Sequence, residues 1–267
     1  MKKILALVLA LLMVLSMAAC GKKADSDAAY IEDNGKLIVG YTIYEPMNYF
    51  DENGAFTGFD TEFAEAVCAK LGLEPEFVEI VWDTKEIELN AKSIDCIWNG
   101  MTITEERQET MSISLPYVKN AQVIVVKADS AVASTADLIG KTVVAEIGSA
   151  GEAQIQGEDA NADLAQAEYV GLAKQTDCLL EVKAGAADAA VLDWTLAMSM
   201  VGEGTDFADL KMVDGLELAA EEYGIAFRKD SDFTAKVDEA IKALVKDGTL
   251  PALAEKYGLA LAPAIAQ

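Results

Sequence analysis

Residues 121–128 read AQVIVVKA, and four consecutive aliphatic residues occupy positions 123–126 at the centre of this stretch. A strand with one face in water alternates apolar and polar side chains, whereas a continuous apolar run is typical of a strand that helices cover on both faces. Sheets covered in this way are mainly parallel and belong to α/β proteins. The stretch therefore predicts an α/β fold.

Short apolar runs and helical patterns alternate along the rest of the chain. The predicted strands are residues 37–41, 77–80, 95–98, 122–127, 142–145, 189–193 and 223–227. Apolar residues at helical spacing predict a helix that begins at Phe59, a second over 234–247 and a short third over 251–257. Asp60 is interpreted as the cap of the first helix and Gly72 as its end.

The composition excludes several classes of function. The 267 residues include 21 basic and 45 acidic ones, a net charge of −24, so nucleic acids and anionic membrane surfaces would repel the chain. Histidine is absent, which removes the usual partner of serine and cysteine nucleophiles and the commonest zinc ligand. No two cysteines have the CxxC spacing, and Cys68, Cys96 and Cys178 are expected to be buried thiols. We expect no metal, no cofactor and no nucleic-acid partner.

The N-terminal segment indicates export. Two lysines precede an apolar run over residues 4–15, and small residues follow it, which is typical of a secretory signal peptide over residues 1–19 and too short for a membrane anchor. The ending Met17-Ala18-Ala19-Cys20 resembles the lipobox of bacterial lipoproteins, which implies that Cys20 is acylated. An ordinary signal peptide with an incidental cysteine is the alternative. Residues 20–34 are then the lipidated cysteine and a flexible tether.

Nine short strings occur in order along the chain. They are LIVG (37–40), GFD (58–60), WD (82–83), GMTITEER (100–107), PY (116–117), GS (148–149), DAA (188–190), EYGIA (222–226) and DGT (247–249). Their order and spacing resemble bacterial solute-binding protein family 3, the polar amino-acid receptors of ABC importers. The resemblance covers nearly the whole chain that follows the predicted tether.

The resemblance implies a periplasmic-binding-protein-like fold of type II, in which two crossover hinge strands join two α/β lobes. Lobe 1 is expected over residues 35–125 and 222–267, and lobe 2 over residues 126–221. The implied function is capture of an L-amino acid between the closing lobes, outside the cytoplasm, and its delivery to an ABC permease. We expect a monomer that the lipid on Cys20 anchors to the cell membrane, and no enzymatic activity.

An amino acid carries a carboxylate and an ammonium, and charged partners must replace the water that both groups lose in a pocket. Arg107 is one of only two arginines in the chain, and its planar guanidinium can grip a carboxylate with two hydrogen bonds where a lysine cannot. The resemblance of the GMTITEER string places Arg107 in the carboxylate site. The resemblance also implies that Asp193, at the end of a predicted strand, binds the ammonium.

Three further candidates lie between the strand at 95–98 and Arg107. Open α/β sheets bind ligands beyond the carboxyl ends of their strands, and Thr102 and the backbone of Gly100 lie there. Thr102 would add a hydroxyl, and Gly100 would let its backbone approach the ligand closely. Asn99 could bind either the ammonium or the ligand side chain.

The remaining candidates come from two other parts of the chain. Ser149 and Ala150 open a predicted helix in lobe 2, where free N–H groups can meet a carboxylate. Tyr44 and Trp82 match positions at which the family commonly places aromatic walls against the ligand side chain. Ordinary core packing of these two aromatic side chains is the alternative.

Two other functions remain open at this stage. Some dehydratases that act on cyclohexadienyl substrates share the receptor fold, and a carboxylate such as Glu45 would then donate a proton. The other alternative is a sensory surface lipoprotein that binds amino acids without supplying a permease. Turnover assays on prephenate and arogenate distinguish the first alternative from a receptor.

Overall fold

The computed structural model describes residues 26–158 and 160–266. The predicted signal peptide, Cys20 and the start of the predicted tether lie outside the described residues. The helices are α1 (Asp27–Asn34), α2 (Phe59–Leu71), α3 (Lys85–Asn90), α4 (Glu105–Thr110), α5 (Ala150–Gln156), α6 (Gln175–Ala184), α7 (Trp194–Met200), α8 (Phe233–Lys246) and α9 (Thr249–Tyr257). None of the helices in these two ranges combines the length and the apolar character that crossing a bilayer requires.

The strands of the described residues are β1 (Lys36–Tyr41), β2 (Tyr49–Phe50), β3 (Phe56–Thr57), β4 (Glu74–Glu79), β5 (Cys96–Thr102), β6 (Met111–Ile113), β7 (Val118–Lys127), β8 (Thr142–Glu146), β9 (Glu168–Leu172), β10 (Ala189–Asp193) and β11 (Leu210–Arg228). Nine of these strands form one sheet in the order β4-β1-β5-β11-β7-β10-β8-β9, with β6 on β11. β4, β1 and β5 are parallel neighbours, and so are β10, β8 and β9. The predicted α/β architecture is confirmed, but the sheet is mixed rather than mainly parallel, because β11 pairs antiparallel with β5, β6 and β7, and β7 pairs antiparallel with β10.

The two long strands β7 and β11 run antiparallel through the middle of the sheet and connect its two parallel halves. This is the predicted arrangement of two lobes joined by two crossover strands. β7 pairs with β11 between residues 118 and 127, and its other edge pairs from residue 122 to residue 125 with β10, a strand of the predicted lobe 2. The strand pairing therefore favours a lobe boundary near residue 121, earlier than the predicted 125, and the boundaries stay a prediction.

The apolar run in β7 is buried on both faces, as its sequence predicts. Val123 and Val125 belong to one hydrophobic cluster, which continues into lobe 1, and Ile124 and Val126 belong to a second cluster in lobe 2. Because successive side chains of a strand point to opposite faces, the run contributes to two cores at once. The three predicted buried thiols are also confirmed, since Cys68, Cys96 and Cys178 are buried and free.

The predicted helices are confirmed, but Asp60 is not the cap of the first one. Gly58 is the N-terminal cap of α2, and Asp60 lies inside its first turn with a fully buried side chain. Its carboxylate accepts hydrogen bonds from core groups rather than from its own helix, as described below. Gly72 ends the helix in the left-handed conformation, with φ 72°, as predicted.

The expected flexible tether is wrong for residues 27–34, which form α1. Ser26 caps this helix by accepting a hydrogen bond from the amide of Ala29, and Ala28 and Ile31 are buried in the lobe 1 core. The acidic composition of the segment indicated a solvated chain and gave no sign that Ala28 and Ile31 are buried. The helix thus belongs to the folded lobe.

A buried ion cluster fastens α1 to the sheet. Arg228, at the end of β11, donates to Asp27 at 2.7 Å and to Asp95 at 2.9 Å. The same guanidinium donates to the carbonyl oxygens of Leu89 and Ile94. All three charged side chains are largely shielded from water, so each depends on the others for compensation.

We expect Arg228→Ala to lower the free energy of unfolding by about 3 to 5 kcal/mol, because it leaves the buried Asp95 carboxylate without a cation. Urea unfolding measures the change. Lys36→Ala is the control, since it breaks an exposed ion pair with Glu76 and should leave the midpoint unchanged. Equal effects of the two substitutions would contradict a structural role for the buried cluster.

Candidate functional site

One small cavity lies between the lobes, beyond the ends of β5 and β10. All nine predicted ligand-binding residues line it: Tyr44, Trp82, Asn99, Gly100, Thr102, Arg107, Ser149, Ala150 and Asp193. Glu146 and Gln175, which the sequence analysis missed, also line it. The structure brings the candidates together, and their contacts with a ligand stay predictions.

Arg107 reaches the cavity from the first turn of α4. Thr104 caps this helix and accepts a hydrogen bond from the amide of Arg107 at 3.1 Å. The guanidinium donates to the carbonyl of Thr102 at 2.7 Å and to that of Gly148 at 3.1 Å. Partial burial lowers the pKa of Arg107, but a guanidinium remains charged at physiological pH. It keeps further N–H donors for an anion.

Asp193 is the opposite charge, at the end of β10 on lobe 2. Its carboxylate accepts hydrogen bonds from four neutral side chains, Asn120, Gln122, Gln175 and Tyr223. Burial raises the pKa of Asp193, and these neutral donors partly offset that effect. An ammonium in the cavity would supply the missing positive charge.

Glu221 on β11 shares donors with Asp193. It accepts hydrogen bonds from Gln122 and from the hydroxyl of Thr102, both at 2.9 Å, and from Asn120. Burial, followed by the nearby charge of Asp193, raises the pKa of Glu221 to about 8. The predicted role of Thr102 is thus qualified, because its hydroxyl proton is already donated to Glu221.

The carbonyl of Gly148 on lobe 2 holds the lobes together. It accepts hydrogen bonds from the side chains of Trp82, Lys85 and Arg107, each at 3.1 Å. Burial, followed by the charge of Arg107, lowers the pKa of Lys85 to about 8. Because three side chains of lobe 1 donate to one carbonyl of lobe 2, the two lobes are in contact and the arrangement is closed.

Gly100 must be a glycine because of the aromatic side chains beside it. Its φ is 57°, and a Cβ at this position would lie 2.8 Å from the ring of Tyr44 and 3.0 Å from that of Tyr223. The amide of Gly100 donates to the buried Asp60 carboxylate at 2.7 Å. Burial raises the pKa of Asp60 to about 7. Asp60 is therefore a positioning residue for the end of β5.

Three other candidates have partners within the protein. Both amide hydrogens of Asn99 are donated inside lobe 1, to the carbonyl of Thr42 and the side chain of Asn48, and its oxygen accepts a hydrogen bond from the Thr42 hydroxyl at 2.7 Å. The Ser149 hydroxyl caps α5 by accepting from the amide of Glu152 at 3.0 Å. The hydroxyl of Tyr44 bonds to those of Thr195 and Tyr223, so its ring forms a fixed wall of the cavity.

Some of the missed residues left a signal in the sequence. Asn120 and Gln122 are polar residues just before the apolar run of β7, and Glu146 directly follows the predicted strand over residues 142–145. Glu221 left no such signal, because it lies in a part of β11 that the analysis did not predict as a strand.

Residues 37–260 match the model of the bacterial extracellular solute-binding proteins, family 3. The chain belongs to this family. The solute-binding protein is 32% identical to the arginine-binding extracellular protein ArtP of Bacillus subtilis, over 96% of this chain and 98% of that protein. It is 31% identical to the L-cystine-binding protein TcyJ of Escherichia coli K12, over 85% of this chain and 84% of that protein.

A solved structure supports the two-lobe fold of the solute-binding protein. A crystal structure of a mutant of ArgBP from T. maritima is 37% identical and superposes with a TM-score of 0.79. The match covers 87% of this chain and 99% of that one. The family membership and the fold that the sequence strings implied are therefore confirmed.

For the ligand-free solute-binding protein, we expect stability to fall as the pH rises from about 5 to about 8, because unfolding releases buried carboxyl groups to an ordinary pKa near 4.3. The folded pKa values of Glu146 and Glu221 are both about 8, so over this window the folded state binds more protons. Calorimetric melting temperatures at pH 5.5 and 8 measure the slope.

Glu221→Gln should flatten this pH dependence, since one raised carboxyl group is removed. Glu106→Gln removes the same charge from an exposed position and should leave the slope unchanged. A melting temperature that rises towards pH 8 would contradict the assignment of buried protonated carboxyl groups.

Proposed function

We propose that this solute-binding protein captures an L-amino acid between its lobes and delivers it to the permease of an ABC importer. The observation that carries the proposal is the placement of Arg107 on lobe 1 and Asp193 on lobe 2 around one small cavity. A guanidinium and a carboxylate that line the same cavity are complementary to the two charges of an α-amino acid. No reacting group or cofactor is required for this function.

In the proposed complex, the ligand carboxylate accepts hydrogen bonds from Arg107 and from the backbone at the start of α5, near Ser149 and Ala150. The ligand ammonium donates to Asp193 and supplies the positive charge that the four neutral donors lack. Each ligand charge is fully paired only when both lobes contact it, so binding favours the closed state. The aromatic rings of Tyr44 and Trp82 line the space for the ligand side chain.

The names of the relatives agree with this class of ligand, since one is called arginine-binding and another L-cystine-binding. Export through the predicted signal peptide would place the receptor outside the cytoplasm, where such a ligand is captured. Acylation of Cys20 would hold it at the membrane beside the permease, as a monomer. Mass spectrometry of the mature N-terminus, with Cys20→Ser as the control, tests the lipid anchor.

The dehydratase alternative loses its proposed proton donor. Glu45 does not line the cavity, and its carboxylate accepts a hydrogen bond from Ser199 at 2.8 Å instead. The relatives compared here carry the names of binding proteins. We therefore propose that the protein is a receptor and not an enzyme.

We expect the protein, unfolded and refolded to remove any bound ligand, to bind one or a few of the twenty L-amino acids with one-to-one stoichiometry in calorimetric titration. Arg107→Ala and Asp193→Asn should each weaken that binding by about 100-fold or more, because each leaves a desolvated ligand charge unpaired. The analogue that lacks the α-amino group should bind the parent protein poorly.

Glu45→Gln is the control, because it changes a carboxylate near Tyr44 that does not line the cavity. Its affinity should equal that of the parent protein, and thermal melting of all variants verifies folding. Unchanged affinity in Arg107→Ala would contradict the carboxylate site. Equal binding of the deaminated analogue would contradict the ammonium site.

A further inference from the structure

Glu146 is an acidic residue for which the proposed amino-acid complex has no use. It ends β8 on lobe 2, lines the same cavity as Arg107 and Asp193, and is only 5% exposed. The ligand carboxylate is assigned to Arg107 and the ammonium to Asp193. A third charged group therefore faces the cavity without a ligand group assigned to it.

The Glu146 carboxylate has no hydrogen-bond partner among the residues that the structure describes. Across residues 26–158 and 160–266, neither a hydrogen bond nor an ion pair reaches it. Lys85 is close enough for its charge to act on Glu146, but its ammonium donates to the carbonyl oxygens of Trp82 and Gly148 at 3.3 and 3.1 Å. Burying an acid without a partner costs free energy, so this position is complete only when a donor arrives from elsewhere.

The wall of the cavity near Lys85 also accommodates positive charge. The ammonium of Lys85 lies 4.8 Å from the centre of the Trp82 ring, a distance at which a cation is attracted to the face of an aromatic ring. The same ring lines the cavity. An apolar stem ending in a cation would therefore meet an aromatic wall and then a carboxylate.

We infer that Glu146 binds a positively charged group on the ligand side chain, and that the solute-binding protein selects basic L-amino acids. This inference rests on the proposed function, because it assigns the side-chain end of the same ligand. With it, each charge of a basic amino acid has one partner of opposite sign: Arg107, Asp193 and Glu146.

The protonation of Glu146 supports the assignment. Burial, followed by the charge of Asp193, raises the pKa of Glu146 to about 8, and Asp177 raises it further while Lys85 and Lys174 lower it. Without a cation beside it, Glu146 is thus a largely neutral carboxyl group at pH 7. A bound cation favours the ionised form, so a basic ligand should displace a proton that a neutral ligand leaves in place.

The test compares ligands that differ in the charge of the side chain alone. L-arginine is paired with L-citrulline, and L-lysine with L-norleucine, in titrations of the refolded parent protein and of Glu146→Gln. In at least one pair, the parent protein should prefer the cationic member by about tenfold or more. Glu146→Gln should weaken binding of that cation by about 30-fold and binding of its neutral partner by less than about threefold.

Titrations of the parent protein in buffers of different ionisation enthalpy give the second readout. The cationic ligand should release more protons than its neutral partner at pH 7, and Glu146→Gln should abolish the difference. Glu106→Gln is the matched control, since it removes one charge from the exposed rim of the cleft and should leave the preference intact.

The outcomes separate this inference from the proposed function. Binding of neutral amino acids with no preference for either cation would overturn the role of Glu146 and leave the receptor function standing. Equal losses for the cationic and neutral members in Glu146→Gln would show that Glu146 acts on the α-ammonium or on folding instead, which the melting temperature distinguishes. Absence of binding to any amino acid would overturn both.

Discussion

The pairing of β7 with β11 is the constraint on which the rest of the structure depends. The two strands connect the lobes, and the same two strands carry polar residues of the site. Asn120 lies opposite Glu221 across the pair, and Val118 lies opposite Tyr223. Any change of register would move the donors that surround Asp193, because each residue that shifts along a strand turns to the other face. The two hinge strands therefore also carry donors that surround Asp193, Asn120 and Gln122 on β7 and Tyr223 on β11.

The acidic side chains at the site have no positively charged partner in the protein among the described residues. Asp193, Glu221 and Glu146 are buried carboxyl groups whose pKa values are raised, and the protein offers Asp193 and Glu221 neutral amides and hydroxyls rather than cations. The ion cluster of Arg228 shows the opposite solution, in which a buried acid receives a permanent cation from its own chain. The buried acids around Arg228 therefore stabilise the fold, whereas the acids of the cavity are suited to bind a positively charged ligand group.

The apolar runs of the sequence were sufficient for the α/β class, since continuous runs mark buried strands, whereas the two lobes and the choice of Arg107 and Asp193 rested on the resemblance of the nine strings to the family. The sequence failed where a residue acts through distant partners. Asp60 is of a residue type that commonly caps helices, yet its carboxylate accepts hydrogen bonds from Gly100 and Tyr117, which lie far along the chain. The acidic residues 27–34 have the composition of a linker, and the sequence does not show that Asp27 forms an ion pair with the distant Arg228. Glu221 belongs to the site only because β11 continues through both lobes, which its mixed polar pattern does not reveal.

The closing contacts at Gly148 have a consequence for the divergence of such receptors. The acceptor is a main-chain oxygen, which every residue type supplies, and it receives three independent side-chain donors. Loss of one donor by mutation leaves two hydrogen bonds to this oxygen. The donor side chains can therefore change one at a time while the lobes still close. Two of the donors, Trp82 and Arg107, also line the cavity, whereas Lys85 does not. A substitution of Trp82 during divergence would therefore change the cavity wall and still leave two donors on Gly148.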